Sequence, residues 1–361
     1  MRIAQIAPLA EAVPPRLYGG TERVVWWLTE ALVEQGHEVT LFASGDSRTS
    51  ARLVPCSPTG LRLAGVRDHT AYLLAMLDRA RREADQFDIL HFHTDLLQFP
   101  MFQDQAGKCL TTLHGRQDLP DTWPIFPAFP GMPLVSISDS QRRPMPAANF
   151  VGTVHHGLPE KRIPYSPDGG DYLAFIGRIS PEKRPDRAIA IATAAGIPLK
   201  IAAKVDAVDE VYFRREIEPL LNHPLVEFIG EIGDAQKPDF FGNALALLFP
   251  INWPEPFGLV MIEAMAAGTP VIAWNAGSVP EIVEEGRSGY IVDSIDQAVD
   301  AVSRVRTLSR KSVRERFEVR FTAARMASDY VRIYKHLTGA NPAPGGLHDP
   351  KSLGLELLSY G

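Results

Sequence analysis

The sequence of 361 residues has few cysteines, no block of charge of one sign and no long apolar run. Its two cysteines, Cys56 and Cys109, are too few for a disulfide framework, and neither lies in a Cys-x-x-Cys pair. We therefore expect reduced thiols, as is usual in the cytoplasm. The net charge of −6 is spread along the chain, which argues against a nucleic-acid-binding protein, because such proteins usually carry a basic face.

No apolar stretch approaches the roughly 20 residues that a membrane-spanning helix needs. The first apolar run, residues 1–8, is too short for a secretory signal and is typical of a buried strand. We therefore expect a cytoplasmic protein without a transmembrane segment, for which a peripheral membrane contact stays open. The hydrophobic fraction of 45% is ordinary for a globular protein, and the length indicates two domains.

Strand and helix patterns alternate along the chain in two series. The first begins with a strand at residues 3–7 and a helix that opens at Gly19 and Gly20, and it ends with a strand at 133–137. The strands of the second series are predicted at 172–176, 199–203, 226–229, 246–249 and 270–273. Such alternation predicts two parallel sheets with helices on both faces. Ligands of such sheets bind beyond the carboxyl ends of the strands.

Three further segments complete the predicted organisation. Residues 159–170 are rich in proline and glycine and indicate a linker. The prolines of residues 114–133 predict a loop, because proline removes a backbone donor and blocks a regular helix. Residues 311–337 have the apolar spacing of one long amphipathic helix.

The most informative motif follows the strand that ends at Phe249. It reads Glu255-Pro256-Phe257-Gly258-Leu259-Val260-Met261-Ile262-Glu263. Pro256 keeps Glu255 out of a helix interior, so the carboxylate is expected on a loop that faces the cleft between the domains.

The same motif predicts a helix that begins near Phe257. The unbonded N–H groups of Phe257, Gly258 and Leu259 would then bind an anion such as a diphosphate. Glu263 lies about two turns into this helix among apolar residues, so its carboxylate needs a partner, and a ribose diol would serve. A capped helix with an ion-paired glutamate is the alternative interpretation.

The two glutamates, separated by seven residues, resemble the signature of family 4 retaining glycosyltransferases. Residues 269–281 and 285–290 continue the pattern of that family without a gap. In the family the first glutamate contacts hydroxyls of the transferred sugar and the second binds the ribose. The resemblance assigns these roles to Glu255 and Glu263.

Other segments match the same family. Arg178 and Lys183, after a predicted strand, correspond to its phosphate-binding cations, although the family usually has glycine where this chain has Arg184; a solvated basic turn is the alternative. Gly19 and Gly20 resemble the glycine loop that lies near the donor phosphates.

Histidines also follow the predicted strands. His114 matches the family's donor-sugar histidine and is the predicted catalytic histidine. His91 and His93 share one face of a strand, but the sequence offers no third ligand for zinc, so a structural role is expected for His91. The roles of His155 and His156 stay open.

The resemblance implies the GT-B fold, with two Rossmann-like domains that face an interdomain cleft. The N-terminal domain, residues 1–165, would bind the acceptor, and residues 166–312 would bind the nucleotide-sugar. Residues 313–337 would form a C-terminal helix that packs back on the first domain, followed by a tail at 338–361. The resemblance further implies a front-face mechanism with retention, no metal and no cofactor.

The predicted function is therefore hexosyl transfer from a nucleotide-sugar to an acceptor hydroxyl. UDP is favoured over GDP and ADP by its frequency in the family. A GT-B epimerase of nucleotide-sugars and a non-catalytic nucleotide-sugar-binding protein are the alternatives. No Gly-x-Gly-x-x-Gly follows the first strand, which argues against a dehydrogenase. The acceptor depends on loops at 44–66 and 115–132 and cannot be identified from them.

Overall fold

The computed structural model of the protein describes residues 1–16, 19–145 and 147–339. Residues 340–361 of the predicted tail and Tyr18, which precedes the two glycines, lie outside them. Within the described residues the strands are β1 (Arg2–Ile6), β2 (Glu38–Ser44), β3 (Arg52–Ser57), β4 (Ile89–Phe92), β5 (Cys109–Thr112), β6 (Leu134–Ser136), β7 (Phe150–Thr153), β8 (Tyr172–Arg178), β9 (Leu199–Lys204), β10 (Val226–Gly230), β11 (Ala244–Phe249), β12 (Val271–Trp274) and β13 (Gly289–Val292). The predicted strands are confirmed, whereas β3, β7 and β13 were not predicted.

The strands form two sheets in which every neighbouring pair is parallel. The first has the order β3-β2-β1-β4-β5-β6-β7, and the second β10-β9-β8-β11-β12-β13. In each sheet the order reverses beside the first strand, between β1 and β4 and between β8 and β11. A crevice forms at such a reversal, at the carboxyl ends of the strands. The predicted α/β fold class is therefore confirmed.

Helices cover both sheets. They are α1 (Gly20–Glu34), α2 (Thr70–Arg82), α3 (Phe99–Phe102), α4 (Ile125–Ala128), α5 (Asp139–Arg142), α6 (Pro185–Ala195), α7 (Glu210–Tyr212), α8 (Lys237–Gly242), α9 (Leu259–Ala267), α10 (Val279–Ile282), α11 (Ile295–Arg304), α12 (Arg310–Arg320) and α13 (Ala323–Leu337). The predicted loop at 114–133 contains only the short helix α4 and one tight turn.

The prediction of one helix over residues 311–337 was wrong. The chain forms α12 and α13, and extended backbone at Thr322 separates them. The Thr322 hydroxyl accepts a hydrogen bond from the Arg325 N–H at 3.2 Å, which caps the second helix. A local capping signal therefore overrides a continuous apolar pattern.

The two helices pack on different domains. Arg314 of α12 donates to the Ala266 carbonyl of α9 at 2.6 Å, so α12 lies on the second domain. Gln35, at the end of α1, donates to the Ser328 hydroxyl of α13 at 3.1 Å, so α13 lies on the first domain. The predicted return of the C-terminal helix is confirmed for α13.

The chain passes between the domains twice, at residues 155–158 and 321–325, and the two passages are in contact. The Leu158 N–H donates to the Phe321 carbonyl at 3.0 Å, and the Ala323 N–H donates to the Leu158 carbonyl at 2.9 Å. The half-buried Arg325 guanidinium donates to the carbonyls of His155 and His156 at 2.6 and 3.0 Å. Backbone groups that would otherwise be buried without partners are thereby satisfied.

Gly157 is required where the passages meet, because a Cβ atom there would overlap the Thr322 carbonyl. We expect Gly157→Ala to lower the free energy of unfolding by about 1–3 kcal/mol, since one of the two backbone segments must move. Urea titration would measure the change. Gly107→Ala is the matched control, because a Cβ at Gly107 meets no atom within 4 Å. Equal losses in both variants would contradict a close contact at Gly157.

Candidate functional site

The loop between β11 and α9 lies at the carboxyl edge of the second sheet and carries Glu255; we call it the glutamate loop. Its carboxylate forms an ion pair with Lys183, on the loop that follows β8. The Lys183 ammonium also lies 4.8 Å from the centre of the Trp253 ring, a distance that allows a cation–π interaction. The fold therefore brings together two of the predicted site residues.

The backbone of Glu255 is held by the segment that follows β12. The Ser278 N–H donates to the Glu255 carbonyl at 3.0 Å. Gly277 has a positive φ of 57°, and a Cβ atom there would overlap the Glu255 backbone. The sequence motif contained both residues but did not indicate that they support the glutamate loop.

Helix α9 begins at Leu259 rather than near Phe257 as predicted. Gly258 has a φ of 81°, in the left-handed region, so the helix cannot extend through it. The first helical N–H groups therefore belong to Leu259 and Val260. Phe257 is buried instead, with its ring centre 4.9 Å from that of His156. Its ring thus packs beneath the start of α9, and the place of its N–H group in an anion site stays a prediction.

Glu263 is 4% exposed, as expected for a residue inside an apolar helix. Its carboxylate accepts a hydrogen bond from the Lys237 ammonium at 2.6 Å. Lys237 begins α8, and no spacing in the sequence indicated this pairing. The burial of Glu263 is thus compensated within the protein itself.

Arg178 is the last residue of β8 and is surrounded by carboxylates. It forms an ion pair with Glu182. Its Nε atom lies 3.2 Å from Asp209 Oδ2, although the orientation does not make a hydrogen bond, and its Nη1 atom lies 3.9 Å from Asp206. A cavity of about 690 Å³ borders Asp206 and is further lined by Val205, Ala207, Glu210, Phe213, Arg214 and Glu218. An anion that reaches Arg178 must compete with these carboxylates.

The glycines of the first domain lie opposite α9. Gly20 begins α1, and a Cβ atom there would be 4.0 Å from the Leu259 side chain. A Cβ at Gly19 would be 2.8 Å from Pro15, so the turn has no room for a larger residue. The N-termini of α1 and α9, from opposite domains, therefore face each other across the cleft.

His114 follows β5 and connects the first domain with the glutamate loop. Its Nε2 atom lies 2.8 Å from His93 Nδ1, and its ring stacks on that of His156 with centres 5.3 Å apart. His156 in turn contacts Phe257, which precedes Gly258. Burial lowers the pKa of His114 to about 3, so the imidazole is neutral near pH 7.

Glu281 links the domains on the other side of the glutamate loop. Its carboxylate accepts hydrogen bonds from the Asp139 and Ser140 N–H groups, at 2.8 and 2.7 Å, at the start of α5. His155 Nε2 lies 3.1 Å from the same carboxylate. His155 thus takes part in an interdomain contact that the sequence did not reveal.

In the part of the chain that the structure describes, no three His, Cys, Asp or Glu side chains are grouped as a metal site would need. The same residues include no helix that is long and apolar enough to cross a bilayer.

Two family models match the chain. Residues 159–320 match the model described as glycosyl transferases group 1, and residues 18–138 match glycosyltransferase family 4. The protein belongs to the family 4 GT-B glycosyltransferases. The matched ranges carry the residues that face the cleft from both domains.

Relatives and solved structures agree with this family membership. A phosphatidyl-myo-inositol mannosyltransferase of Mycobacterium leprae is 25% identical over 93% of this chain and 96% of its own. A D-inositol 3-phosphate glycosyltransferase of Streptomyces scabiei is 35% identical over 35% of this chain and 31% of its own. AviGT4, a glycosyltransferase involved in avilamycin A biosynthesis, has the same fold, with a TM-score of 0.70 and 24% identity over 94% of this chain and 98% of its own.

Burial of imidazoles in this site predicts a loss of stability in acid. The pKa values of His91, His93, His114 and His156 are all lowered, in each case first by burial. Below about pH 6.5 the unfolded chain therefore binds more protons than the folded one, and the free energy of unfolding falls as the pH falls. Each such histidine contributes at most about 1.4 kcal/mol per pH unit.

Urea titrations between pH 7 and pH 5 would measure this slope. We expect His114→Asn to flatten it, whereas His336→Asn, which changes an exposed histidine, should leave it unchanged. An identical slope in the His114 variant and the unchanged protein would contradict the assignment.

Proposed function

We propose that the protein is a retaining glycosyltransferase that moves a hexose from a UDP-sugar to an acceptor hydroxyl without a metal ion. The observation that carries this proposal is the Lys183–Glu255 ion pair at the cleft, beside the facing N-termini of α1 and α9. It combines a cation for a phosphate, a carboxylate for sugar hydroxyls and backbone N–H groups for an anion.

The diphosphate of the donor would lie between the two helix N-termini. Their unbonded N–H groups and dipoles favour negative charge, and Gly20 leaves room for a close approach. Lys183 would move from Glu255 to a phosphate oxygen, which frees the glutamate to accept hydrogen bonds from the sugar. Arg178 would exchange one of its carboxylate partners for a second phosphate oxygen. These cations then stabilise the charge that develops on the leaving diphosphate.

The ribose would bind at Glu263. Its carboxylate can accept two hydrogen bonds from a diol, and the hydrogen bond from the Lys237 ammonium orients it. This assignment places the nucleoside on the second domain, next to α8 and α9.

Retention would follow from attack on the same face that the diphosphate leaves. In this mechanism the acceptor hydroxyl gives its proton to the departing phosphate oxygen, and no enzyme nucleophile is needed. Glu255 is paired with Lys183 and serves as a binding carboxylate rather than as the nucleophile.

Names of similar proteins suggest the first compounds to test. HepE from Anabaena shares the fold over 93% of this chain and 100% of its own, at 16% identity and with a TM-score of 0.68. Its structure is a complex with UDP and glucose. The relatives named above act, by their names, on phosphatidyl-myo-inositol and inositol 3-phosphate. Inositol compounds are therefore the first acceptors to try. A cytoplasmic location stays a prediction from the sequence.

A thermal-shift screen of nucleotide-sugars would identify the donor, because a ligand that binds only the folded state raises its stability by mass action. Turnover with the bound donor and a panel of acceptors, with EDTA present, would test metal independence. NMR of the product would give its anomeric configuration. Sugar isomerisation without any acceptor would favour the epimerase alternative, and donor binding without turnover would favour a binding protein.

Replacement of Glu255 should separate turnover from nucleotide binding. We expect Glu255→Gln to reduce kcat at least about tenfold, because hydrogen bonds to a charged group contribute roughly 1.5–3 kcal/mol, while the affinity for UDP changes little. Steady-state kinetics and calorimetry would measure the two effects. Glu227→Gln, at an exposed position on β10, is the control. Unchanged kcat in the Glu255 variant would rule out its role.

Replacement of Arg178 should act through charge. We expect Arg178→Gln to weaken the binding of UDP about tenfold or more and to leave the binding of uridine nearly unchanged, because only UDP presents a diphosphate. Titration calorimetry with both ligands would show the difference. Arg215→Gln, on the exposed surface of the same domain, is the matched control. Equal losses for UDP and uridine would place the diphosphate elsewhere.

A further inference from the structure

A row of polar side chains runs through the interior of the first domain and ends at His114. Gln5 on β1 lies beside His91 on β4 in the sheet register, and His93 follows on the same face. Gln5, His91 and His93 are buried, with exposures of 0%, 0% and 2%. An interior strand position that holds glutamine rather than an apolar residue requires hydrogen-bond partners.

With the Gln5 amide oxygen facing His93, as in this structure, the contacts along the row assign a proton to each ring. The Gln5 amide oxygen is 2.7 Å from His93 Nε2 and can only accept, so His93 carries its proton on Nε2. Because burial keeps His93 neutral, its Nδ1 atom is then an acceptor. His114 Nε2, 2.8 Å away, must donate to it. His114 therefore carries its proton on Nε2, and its Nδ1 atom has a free lone pair.

The far end of the row is held by α13. The Gln5 amide nitrogen donates to the Tyr334 hydroxyl at 3.3 Å, and that hydroxyl lies 2.7 Å from His91 Nδ1. His91 Nε2 lies 2.7 Å from the Thr112 hydroxyl. With the amide turned over, the protons on His93 and His114 would be reversed. The Tyr334 hydroxyl can accept from the amide nitrogen or donate to the amide oxygen, so the ¹⁵N spectrum described below distinguishes the two orientations.

His114 Nδ1 is buried and has no hydrogen-bond partner among the residues that the structure describes. A buried acceptor without a partner costs free energy unless a ligand satisfies it. We propose that Gln5 and His93 are positioning residues that hold His114 as its Nε2–H tautomer, so that Nδ1 accepts a hydrogen bond from a hydroxyl of the substrate. This inference rests on the proposed function for its substrate, and it selects a hydroxyl group over a carbonyl or phosphate oxygen.

The first test needs no substitution in the row. NMR of the full chain labelled with ¹⁵N-histidine distinguishes a protonated from an unprotonated ring nitrogen, and comparison with His114→Asn assigns the His114 signals. We expect a protonated Nε2 and an unprotonated Nδ1. The reverse pattern, with the proton on Nδ1, would overturn the inference.

The second test uses Gln5. We expect Gln5→Leu to lower kcat by about 10- to 100-fold. A loss of this size follows when the hydrogen-bond partner that orients a functional imidazole is removed. Gln98→Leu is the matched control, since Gln98 is also fully buried in this domain but bonds Thr94, Asp95 and Thr111 instead. Equal losses of kcat in the two variants would show that Gln5 only supports the fold.

The third test is a pH profile of Gln5→Glu. The groups whose charges act on His93 are the imidazoles of His91, His114 and His156, and no carboxylate is among them. A carboxylate at position 5 favours the imidazolium and raises the pKa of His93. Protonated His93 would donate from Nδ1 and force His114 into the other tautomer. We expect kcat to fall as the pH falls through that raised pKa. The pH profile of the unchanged protein should show no such decline at the same pH.

An unaltered pH profile in Gln5→Glu would contradict the coupling. The outcomes also separate this inference from the proposed function. If His114→Asn retains full turnover with the identified donor, the placement of His114 in the site is wrong. If that variant loses turnover while the Nδ1 of the unchanged protein is protonated, only the positioning role of Gln5 and His93 is wrong.

Discussion

The two domains are joined where the passages at 155–158 and 321–325 exchange backbone hydrogen bonds, and the arrangement of the cleft depends on this contact. Arg325 satisfies the carbonyls of His155 and His156, and Gly157 permits an approach that any side chain would prevent. The side chain of His156 thereby lies between His114 of the first domain and Phe257 of the second. The backbone contact that connects the domains thus also sets the distance between their functional loops.

The charges of the cleft are paired before any ligand arrives. Lys183, Lys237 and Arg178 each contact at least one carboxylate, so a diphosphate would enter by exchange of ion-pair partners rather than by neutralising bare cations. Such pairing keeps long side chains in one geometry and reduces the ordering that binding would otherwise require. It also lowers the binding free energy gained from each new phosphate contact, because the displaced carboxylate must then be hydrogen-bonded by water or by a sugar hydroxyl.

Much of the fold could be predicted from the sequence. Parallel strands buried on both faces are continuous apolar runs, and capping or glycine signals mark the helices between them, so β1, β8 and α1 were evident. The strands β3, β7 and β13 were missed. Each lies at an edge of its sheet, and β3 and β7 are only partly buried, so their apolar runs are interrupted. The single helix predicted over 311–337 failed at Thr322, where a cap and a tertiary contact with Leu158 outweigh the apolar period.

The sequence by itself determined the chemistry that is available in the cleft: two glutamates, two cations and a histidine, each placed after a strand whose carboxyl end faces a crevice. Only the tertiary structure decided which of these groups meet. The pairing of Lys183 with Glu255 and the row from Gln5 to His114 join residues far apart in the chain. The physical reason is that ion pairs and hydrogen bonds act over a few ångströms, whereas sequence periodicity reports only which face of its own helix or strand a residue occupies.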